Sequence, residues 1–129
     1  MYEFKDEYLT GIELIDNEHR RLFEIADEVY ELSKNEFIAD KYDNVKAVLG
    51  ELRDYTKQHF AHEEEYMKSI NYKKLFTQII EHKAFVDKLD DLDLESIDET
   101  SDEMIQDILK FLTDWLVNHI LYNDKQIGE

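Results

Sequence analysis

The amino-acid sequence predicts an all-α protein, an up-down-up-down four-helix bundle with an N-terminal arm. The chain of 129 residues has no proline and only three glycines, so few residues interrupt regular helix. Four segments also place apolar residues at the three- and four-residue spacing of an amphipathic helix. Four helices joined by short connections pack most simply with alternating directions.

Length and composition limit the possible classes of protein. We expect one domain over residues 1–129, and a hydrophobic content of 43% is sufficient for a core. The absence of cysteine excludes disulfides and thiolate metal sites. No apolar run is long enough to span a membrane and no signal peptide is evident, so we expect a cytoplasmic protein. The net charge of −17 argues against nucleic acid or anionic lipid as a partner.

The arm is expected to cover residues 1–16 and to pack over the bundle, which occupies 17–124. The apolar residues of the arm are Tyr2, Phe4, Tyr8, Leu9, Ile12, Leu14 and Ile15. The first helix is predicted over 17–32, with Asp16 placed to cap it. The apolar stripe of this helix is Leu22, Phe23, Ala26, Val29 and Tyr30.

The second helix is predicted over 41–70, with Asp40 as its cap, and the third over 72–89, with Asn71 as its cap. The stripe of the second helix is Val45, Val48, Leu49, Leu52, Tyr55 and Met67. The stripe of the third helix is Leu75, Ile79, Phe85, Val86 and Leu89.

An acidic loop without clear periodicity follows, from about residue 90 to residue 100. Thr100 and Glu103 then have the spacing of a capping box, which predicts the start of the fourth helix. The stripe of the fourth helix is Ile105, Ile108, Leu112, Trp115, Leu116 and Ile120.

Histidines and acids fall toward one end of this predicted bundle. His59 and Glu63 are four residues apart and therefore share a helix face. His119 and Asp124 are five apart, a less regular step, and we expect Asp124 to turn inward where the helix frays. His19 and His82 lie near the same end. A lone inward histidine is more often a structural residue, but four histidines and two acids that converge indicate a carboxylate-bridged site for two metals.

Four segments carry a resemblance to a known family. They are IDNEHRRLF (15–23), YTKQHFAHEEEYM (55–67), EHKAF (81–85) and WLVNHILYND (115–124). In order and spacing they resemble the hemerythrin family, in its single-domain bacteriohemerythrin form. The resemblance implies two non-haem irons with a solvent-derived oxo or hydroxo bridge, and reversible binding of O2.

The resemblance also implies a role for each matched residue. Glu63 and Asp124 would bridge the two irons. His19 and His59 would bind the iron that keeps an open place for O2, and His82 and His119 would bind the other iron. The apolar residues that would wall the O2 pocket are Leu22, Phe60, Trp115, Leu116 and Ile120.

One position departs from the family pattern. The family normally has a fifth histidine four residues before His82, and here that residue is Gln78. Three outcomes are open: Gln78 binds iron weakly, water fills the vacancy, or His62 substitutes. The hypothesis is that this iron gains a second open place and that the pair oxidises more readily, so Gln78→His should slow autoxidation. Glu18, where the family usually has glutamine, is interpreted as solvent-facing variation.

Other functions remain open from the sequence. A diiron oxidase or peroxidase, or a protein that reacts with NO or peroxide, is the alternative to an oxygen carrier, store or sensor. A metal-free interaction module is disfavoured, because the four histidines and two acids are intact. Besides O2, an electron donor or an enzyme that accepts O2 is a possible partner. The sequence leaves the oligomeric state open, because it shows no additional apolar stripe.

Overall fold

The computed structural model describes residues 3–35, 39–98 and 101–129. In these ranges the chain is helical and contains no strand, which confirms the all-α prediction. The four long helices are α1 (Glu13–Lys34), α2 (Lys41–Ser69), α3 (Leu75–Asp90) and α4 (Asp102–His119). Short 3-10 turns cover Asp6–Tyr8 and Leu94–Ser96, and a π-helical turn, Ile120–Asp124, joins α4 to the short helix α5 (Lys125–Ile127).

The helices form a bundle in which chain neighbours lie side by side. α1 packs against both α2 and α4, and α2 also packs against α3. Between α3 and α4 the contact is aromatic: the ring of Phe85 stacks on the ring of Trp115 with centroids 4.0 Å apart. No helix in the described ranges is long and apolar enough to cross a membrane.

The first helix begins earlier than the sequence predicts. It starts at Glu13, so Asp16 lies inside its first turn and does not precede it. The Asp16 carboxylate instead reaches back to the arm, where it accepts hydrogen bonds from the backbone N–H and the hydroxyl of Thr10, each 2.8 Å long, and from the N–H of Gly11. Asp16 therefore attaches the arm to the start of α1. The arm residue Tyr2 lies outside the described residues.

The connection between α2 and α3 also differs from the prediction. α3 begins at Leu75, and Asn71 does not cap it. Asn71 has a positive φ of 52°, its N–H donates to the carbonyl of Lys68, and the N–H of Tyr72 donates to the carbonyl of Met67. This pair of hydrogen bonds is the Schellman arrangement that closes a helix, and asparagine tolerates the left-handed conformation it needs. Asn71 therefore ends α2. Asp40 does precede α2, but its side chain makes no capping hydrogen bond.

The acidic connection before α4 is more structured than its sequence indicates. Leu94 and Ile97 are buried there and join the main apolar core. α4 begins at Asp102, directly after Ser101. Thr100, half of the expected capping box, lies outside the described residues.

The end of α4 corrects the expectation that this helix frays. From Ile120 to Asp124 the chain continues as a π-helical turn, in which hydrogen bonds span five residues instead of four. The wider turn places residues five apart on one face. His119 and Asp124 therefore face the bundle interior together, with the Nε2 of His119 3.2 Å from Oδ1 of Asp124.

Apolar residues pack on both sides of the buried histidines and acids. The main core cluster includes Leu22 and Phe60, each one turn along its helix from a histidine or acid of the interior. A smaller cluster of Ile15, Met67 and Ile127 closes the end of the bundle. The polar side chains therefore lie in a layer between two apolar clusters.

Candidate metal centre

Six side chains with metal-binding chemistry are buried in this layer. They come from all four long helices and the π-helical turn, and none is more than 6% exposed. The six are His19, His59, Glu63, His82, His119 and Asp124. Burying so many ionisable groups is costly unless they bind one another or a metal.

The structure divides these residues into two groups that share their acids. One group comprises His19, His59, Glu63 and Asp124, and the other comprises His82, His119 and the same two acids. In each group the potential ligand atoms all lie within 4.8 Å of one another. The family resemblance implies the same pairing of histidines, and the structure brings the members of each pair together.

In the first group, Nε2 of both histidines faces the carboxylates. Nε2 of His59 lies 3.0 Å from Oε2 of Glu63, and Nε2 of His19 lies 3.5 Å from the same oxygen. Nε2 of His19 is also 3.1 Å from Oδ2 of Asp124. The first histidine pair thus faces one oxygen of each acid.

In the second group, the histidines face the other two oxygens. Nε2 of His82 lies 3.2 Å from Oε1 of Glu63, and Nε2 of His119 lies 3.2 Å from Oδ1 of Asp124. The two Nε2 atoms are 3.1 Å apart. Each carboxylate therefore presents one oxygen to each histidine pair, which is the arrangement of a bridging ligand.

The donor atoms fit a pair of cations better than they fit one another. Although several nitrogens lie close to Glu63, neither of its oxygens has a hydrogen-bond partner among the described residues, and neither ring nitrogen of His19 has one. Buried polar atoms in native proteins are normally satisfied. Two cations, one in each group, would satisfy them together.

A set of outer carboxylates fixes three of the four imidazole rings. Nδ1 of His59 lies 3.1 Å from Glu18, Nδ1 of His82 lies 2.9 Å from Glu64, and Nδ1 of His119 lies 3.2 Å from Glu81. An acceptor at Nδ1 favours the tautomer whose Nε2 lone pair is free for a metal. Sequence reasoning missed these three acids, because nothing in their spacing separates them from the many surface acids of this chain.

Comparison with known proteins decides the family. Residues 10–129 match the family model described as the hemerythrin HHE cation binding domain. The chain belongs to the hemerythrin family. It is 48% identical to a bacteriohemerythrin of Clostridium acetobutylicum over 98% of both chains.

More distant hemerythrin relatives match over most of their length as well. A bacteriohemerythrin of Methylococcus capsulatus is 30% identical over 95% of this chain and 89% of its own. A hemerythrin of Phascolopsis gouldii is 30% identical over 92% of this chain and 83% of its own. The resemblance read from four motifs therefore extends over the whole hemerythrin domain.

At Glu18 the structure overturns an interpretation. Glu18 is buried, not solvent-facing, and its second carboxylate oxygen lies 2.7 Å from Nδ1 of His62. Glu18 thus joins His62 to His59. The side chain of His62 is 46% exposed and belongs to neither of the two groups of potential ligands. The structure therefore does not support His62 as a substitute for the missing histidine.

Gln78, the position at which the resemblance implies a fifth histidine, is buried against the second ligand group. It is 2% exposed, and its Nε2 donates a hydrogen bond of 3.1 Å to Oδ1 of Asp124. Its Oε1 has no partner among the described residues. The amide N–H of Gln78, and not its oxygen, therefore contacts the shared carboxylate of Asp124.

Aromatic rings cover the second histidine pair. The ring of Phe60 lies parallel to His82 with centroids 3.9 Å apart, and the ring of Trp115 lies nearly parallel to His119 at 4.5 Å. The other three expected pocket residues, Leu22, Leu116 and Ile120, are buried. On the side of the main core, apolar and aromatic side chains therefore shield the site from water.

In the protein without metal, the contacts within the layer favour protonated histidines beside a charged Glu63. Burial alone lowers the pKa of His59, but its contacts with Glu18 and Glu63 outweigh burial and raise this pKa to about 10. The pKa of His19 and that of His82 are raised for the same kind of reason, against the effect of burial. Burial raises the pKa of Glu63, yet its three histidine contacts hold it well below the usual value.

Proposed function

We propose that this hemerythrin-family protein is a non-haem diiron protein that binds O2 reversibly, as an oxygen carrier, store or sensor. The observation that carries the proposal is the division of the two shared carboxylates. Glu63 and Asp124 each present one oxygen to either histidine pair. Membership of the hemerythrin family supports iron as the cation.

Each residue would have a distinct role. His19 and His59 would hold one iron, and His82 and His119 the other, while both carboxylates bridge them. Imidazole and carboxylate together suit ferrous iron. The two ferrous ions would supply the electrons that O2 takes up when it binds.

The surrounding residues would protect this chemistry. The apolar wall that includes Phe60 and Leu116 would exclude water and competing anions from the site on the side of the main core. The wall offers no titratable side chain, so O2 would meet no acid from that side. Glu18, Glu64 and Glu81 would keep the imidazole rings in place as the charge of the irons changes.

The proposal is tested by an absorption spectrum of iron-loaded, anaerobically reduced protein as O2 is added and then purged. We expect ligand-to-metal bands that appear with O2 and vanish on purging. Glu63→Gln removes a bridging charge and should abolish the bands. Glu65→Gln changes an exposed acid on the same helix and should leave them intact.

A second candidate is a diiron oxidase or peroxidase, and Gln78 favours it. An amide in place of an imidazole weakens the donor set on one side of the site. If this candidate is correct, the bands persist after purging as a ferric spectrum and disappear only with an added electron donor. Absence of any band in the iron-loaded protein would contradict both functions.

A further inference from the structure

We infer that the metal bound by His82 and His119 has its own open coordination site. This site takes a small monodentate anion, which enters through a cleft beside Gln78. The inference rests on the proposed function because it requires a metal at that position. It concerns an anion at the second metal position, whereas the proposed function concerns O2 at the first.

The cleft lies between the start of α3 and the π-helical turn. Its volume is about 280 Å³, and its walls include Tyr72, Lys74, Gln78, Tyr122 and Asn123. Since a water molecule takes up about 30 Å³ of liquid, this volume admits several waters or a small anion with its hydration. Tyr122 is 69% exposed, so this side of the cleft is at the surface.

Gln78 forms the inner wall of the cleft and contacts the second ligand group. Its Nε2 donates to Oδ1 of Asp124, which is the same oxygen that lies 3.2 Å from Nε2 of His119. Its Oε1 is buried and has no partner among the described residues. One side chain therefore separates the cleft from the donor atoms of the second metal position.

The protein donors leave at least one coordination site open at the second metal position. Within the described residues, the second group offers two imidazoles and one oxygen from each shared acid. Transition metals with such ligands commonly take more than four donors, and an amide is a weak donor beside imidazole. On the opposite side the rings of Phe60 and Trp115 stack on the two histidines. A second surface cleft reaches His119 from the side of Glu81, which faces Nδ1 of that ring. The cleft beside Gln78 is the one that approaches the Nε2 donor atoms and Asp124.

The chemistry of the cleft selects a small anion. Lys74 brings an ammonium group to its wall, where Nζ donates to Oε1 of Gln126 at 2.5 Å. The Gln78 amide has two N–H donors and gives one of them to Asp124, so the other is available to a bound anion. Because Gln78 is only 2% exposed and the chain carries a net charge of −17, large or multiply charged anions are disfavoured.

The first test counts azide ions bound to the diferric protein, by calorimetry and by the charge-transfer bands. We expect the natural chain to bind two azides and Gln78→His to bind one, because the imidazole fills the second place. Gln78→Ala removes the side chain and leaves the place open, so it should bind two. Thr77→Val is the matched control, since it changes an exposed residue of the same cleft, and it should also bind two.

The rim lysine gives an independent measurement. Lys74→Gln should weaken the second azide roughly threefold at low salt and leave the first azide unchanged, since a single partly exposed charge contributes modestly. An equal effect on both azides would contradict entry through this cleft.

Cobalt(II) provides a readout free of O2 chemistry. The visible bands of the dicobalt protein should change in two azide-dependent steps in the natural chain and in one step in Gln78→His. A single step in both proteins would overturn the inference, even if O2 binds reversibly. Two steps without reversible O2 binding would instead refute the proposed function alone. Failure to bind a second metal ion would refute both.

Discussion

Glu18 orients one histidine of the first pair, His59, through a buried contact. Its carboxylate contacts Nδ1 of His59 with one oxygen and Nδ1 of His62 with the other. Burial, the largest single influence, raises the pKa of Glu18, but the contacts of Glu18 with His59 and His62 outweigh it and lower this pKa below its usual value. Glu18 thus remains charged and holds the His59 ring with Nε2 toward the site.

We therefore expect Glu18→Ala to weaken metal binding at the first position by about 10- to 100-fold, as is typical when the outer partner of a metal-binding histidine is lost. Glu18→Gln keeps an acceptor oxygen and should lose less. Competition with a chelator of known affinity measures the effect. Glu24→Ala, an exposed change on the same helix, is the control. Equal affinities of Glu18→Ala and the natural chain would refute this role.

The pH dependence of the metal-free protein follows from the same contacts. The pKa of His59 is about 10 in the folded chain and near 6.5 when unfolded. Its stabilising contribution is therefore complete below about pH 6.5 and is lost as the pH rises toward 10. Glu63 has a lowered pKa, so its contribution is present above about pH 4.5 and lost as the pH falls.

We expect the free energy of unfolding of the metal-free protein to decline by a few kcal/mol between pH 7 and pH 10, since each pKa unit is worth about 1.4 kcal/mol. Urea denaturation at a series of pH values measures it. The metal-loaded protein, whose histidines are already deprotonated, should vary less over this range. A metal-free protein that becomes more stable toward pH 10 would contradict these assignments.

At the scale of elements, the π-helical turn after α4 determines which residue faces the site. In a regular α-helix the residue four positions after His119, Asn123, would share its face. The wider turn gives that place to Asp124 instead, and the side chain of Asn123 bonds to Glu81. A local change in helical pitch thus decides which side chain contributes an oxygen to both groups.

Moving the carboxylate by one residue tests the π-helical turn. Asp124→Asn should reduce the metal content below two per chain, and adding Asn123→Asp to it should not restore the content. Elemental analysis after gel filtration measures the ratio. Recovery of two metals in the double variant would show that the helix is regular at this point.

Helix interiors were predictable from the sequence, and so were the ends of α2, but the starts of α1 and α3 were not. Apolar periodicity places the four helices because it reflects burial, which every residue of a stripe shares. The ends depend on single backbone conformations. Asn71 and Asp16 both have the composition of a cap, yet one closes the preceding helix and the other attaches the arm. The sequence pattern does not separate these uses.

In the site, the inner histidines and acids were predictable from the sequence, but the acids that contact the histidine rings from outside were not. The histidines and acids of both groups follow from spacing, topology and family motifs, because they converge from four helices. Glu18, Glu64 and Glu81 do not, because this chain has 32 acidic residues and only the folded structure shows which of them meet a histidine. The hydrogen bond from Gln78 to Asp124 likewise depends on the fold and does not follow from the sequence.

At the scale of the whole molecule, the apolar core touches the polar layer at Phe60 but extends well away from it. Leu109 is fully buried in the main cluster and precedes His119 by ten residues, or roughly 15 Å of helix. The core thus contributes stability away from the donor atoms. The bundle should therefore fold without metal.

Leu109→Ala tests this separation. We expect it to reduce the free energy of unfolding of the metal-free protein by about 2–5 kcal/mol, the usual result of emptying a core site. The metal content of folded protein should stay unchanged. Ile80→Ala, at a position 54% exposed, should cost less than about 0.5 kcal/mol. Loss of metal in folded Leu109→Ala would show that core and site are coupled.

Anomalous diffraction at the iron edge, from crystals of the iron-loaded protein, shows whether two irons share Glu63 and Asp124. We expect two peaks roughly 3.5 Å apart, as in other two-metal sites. One peak should lie beside His19 and His59 and the other beside His82 and His119, with both carboxylates contacting both peaks. A single peak, or two peaks that do not share these carboxylates, would contradict this expectation.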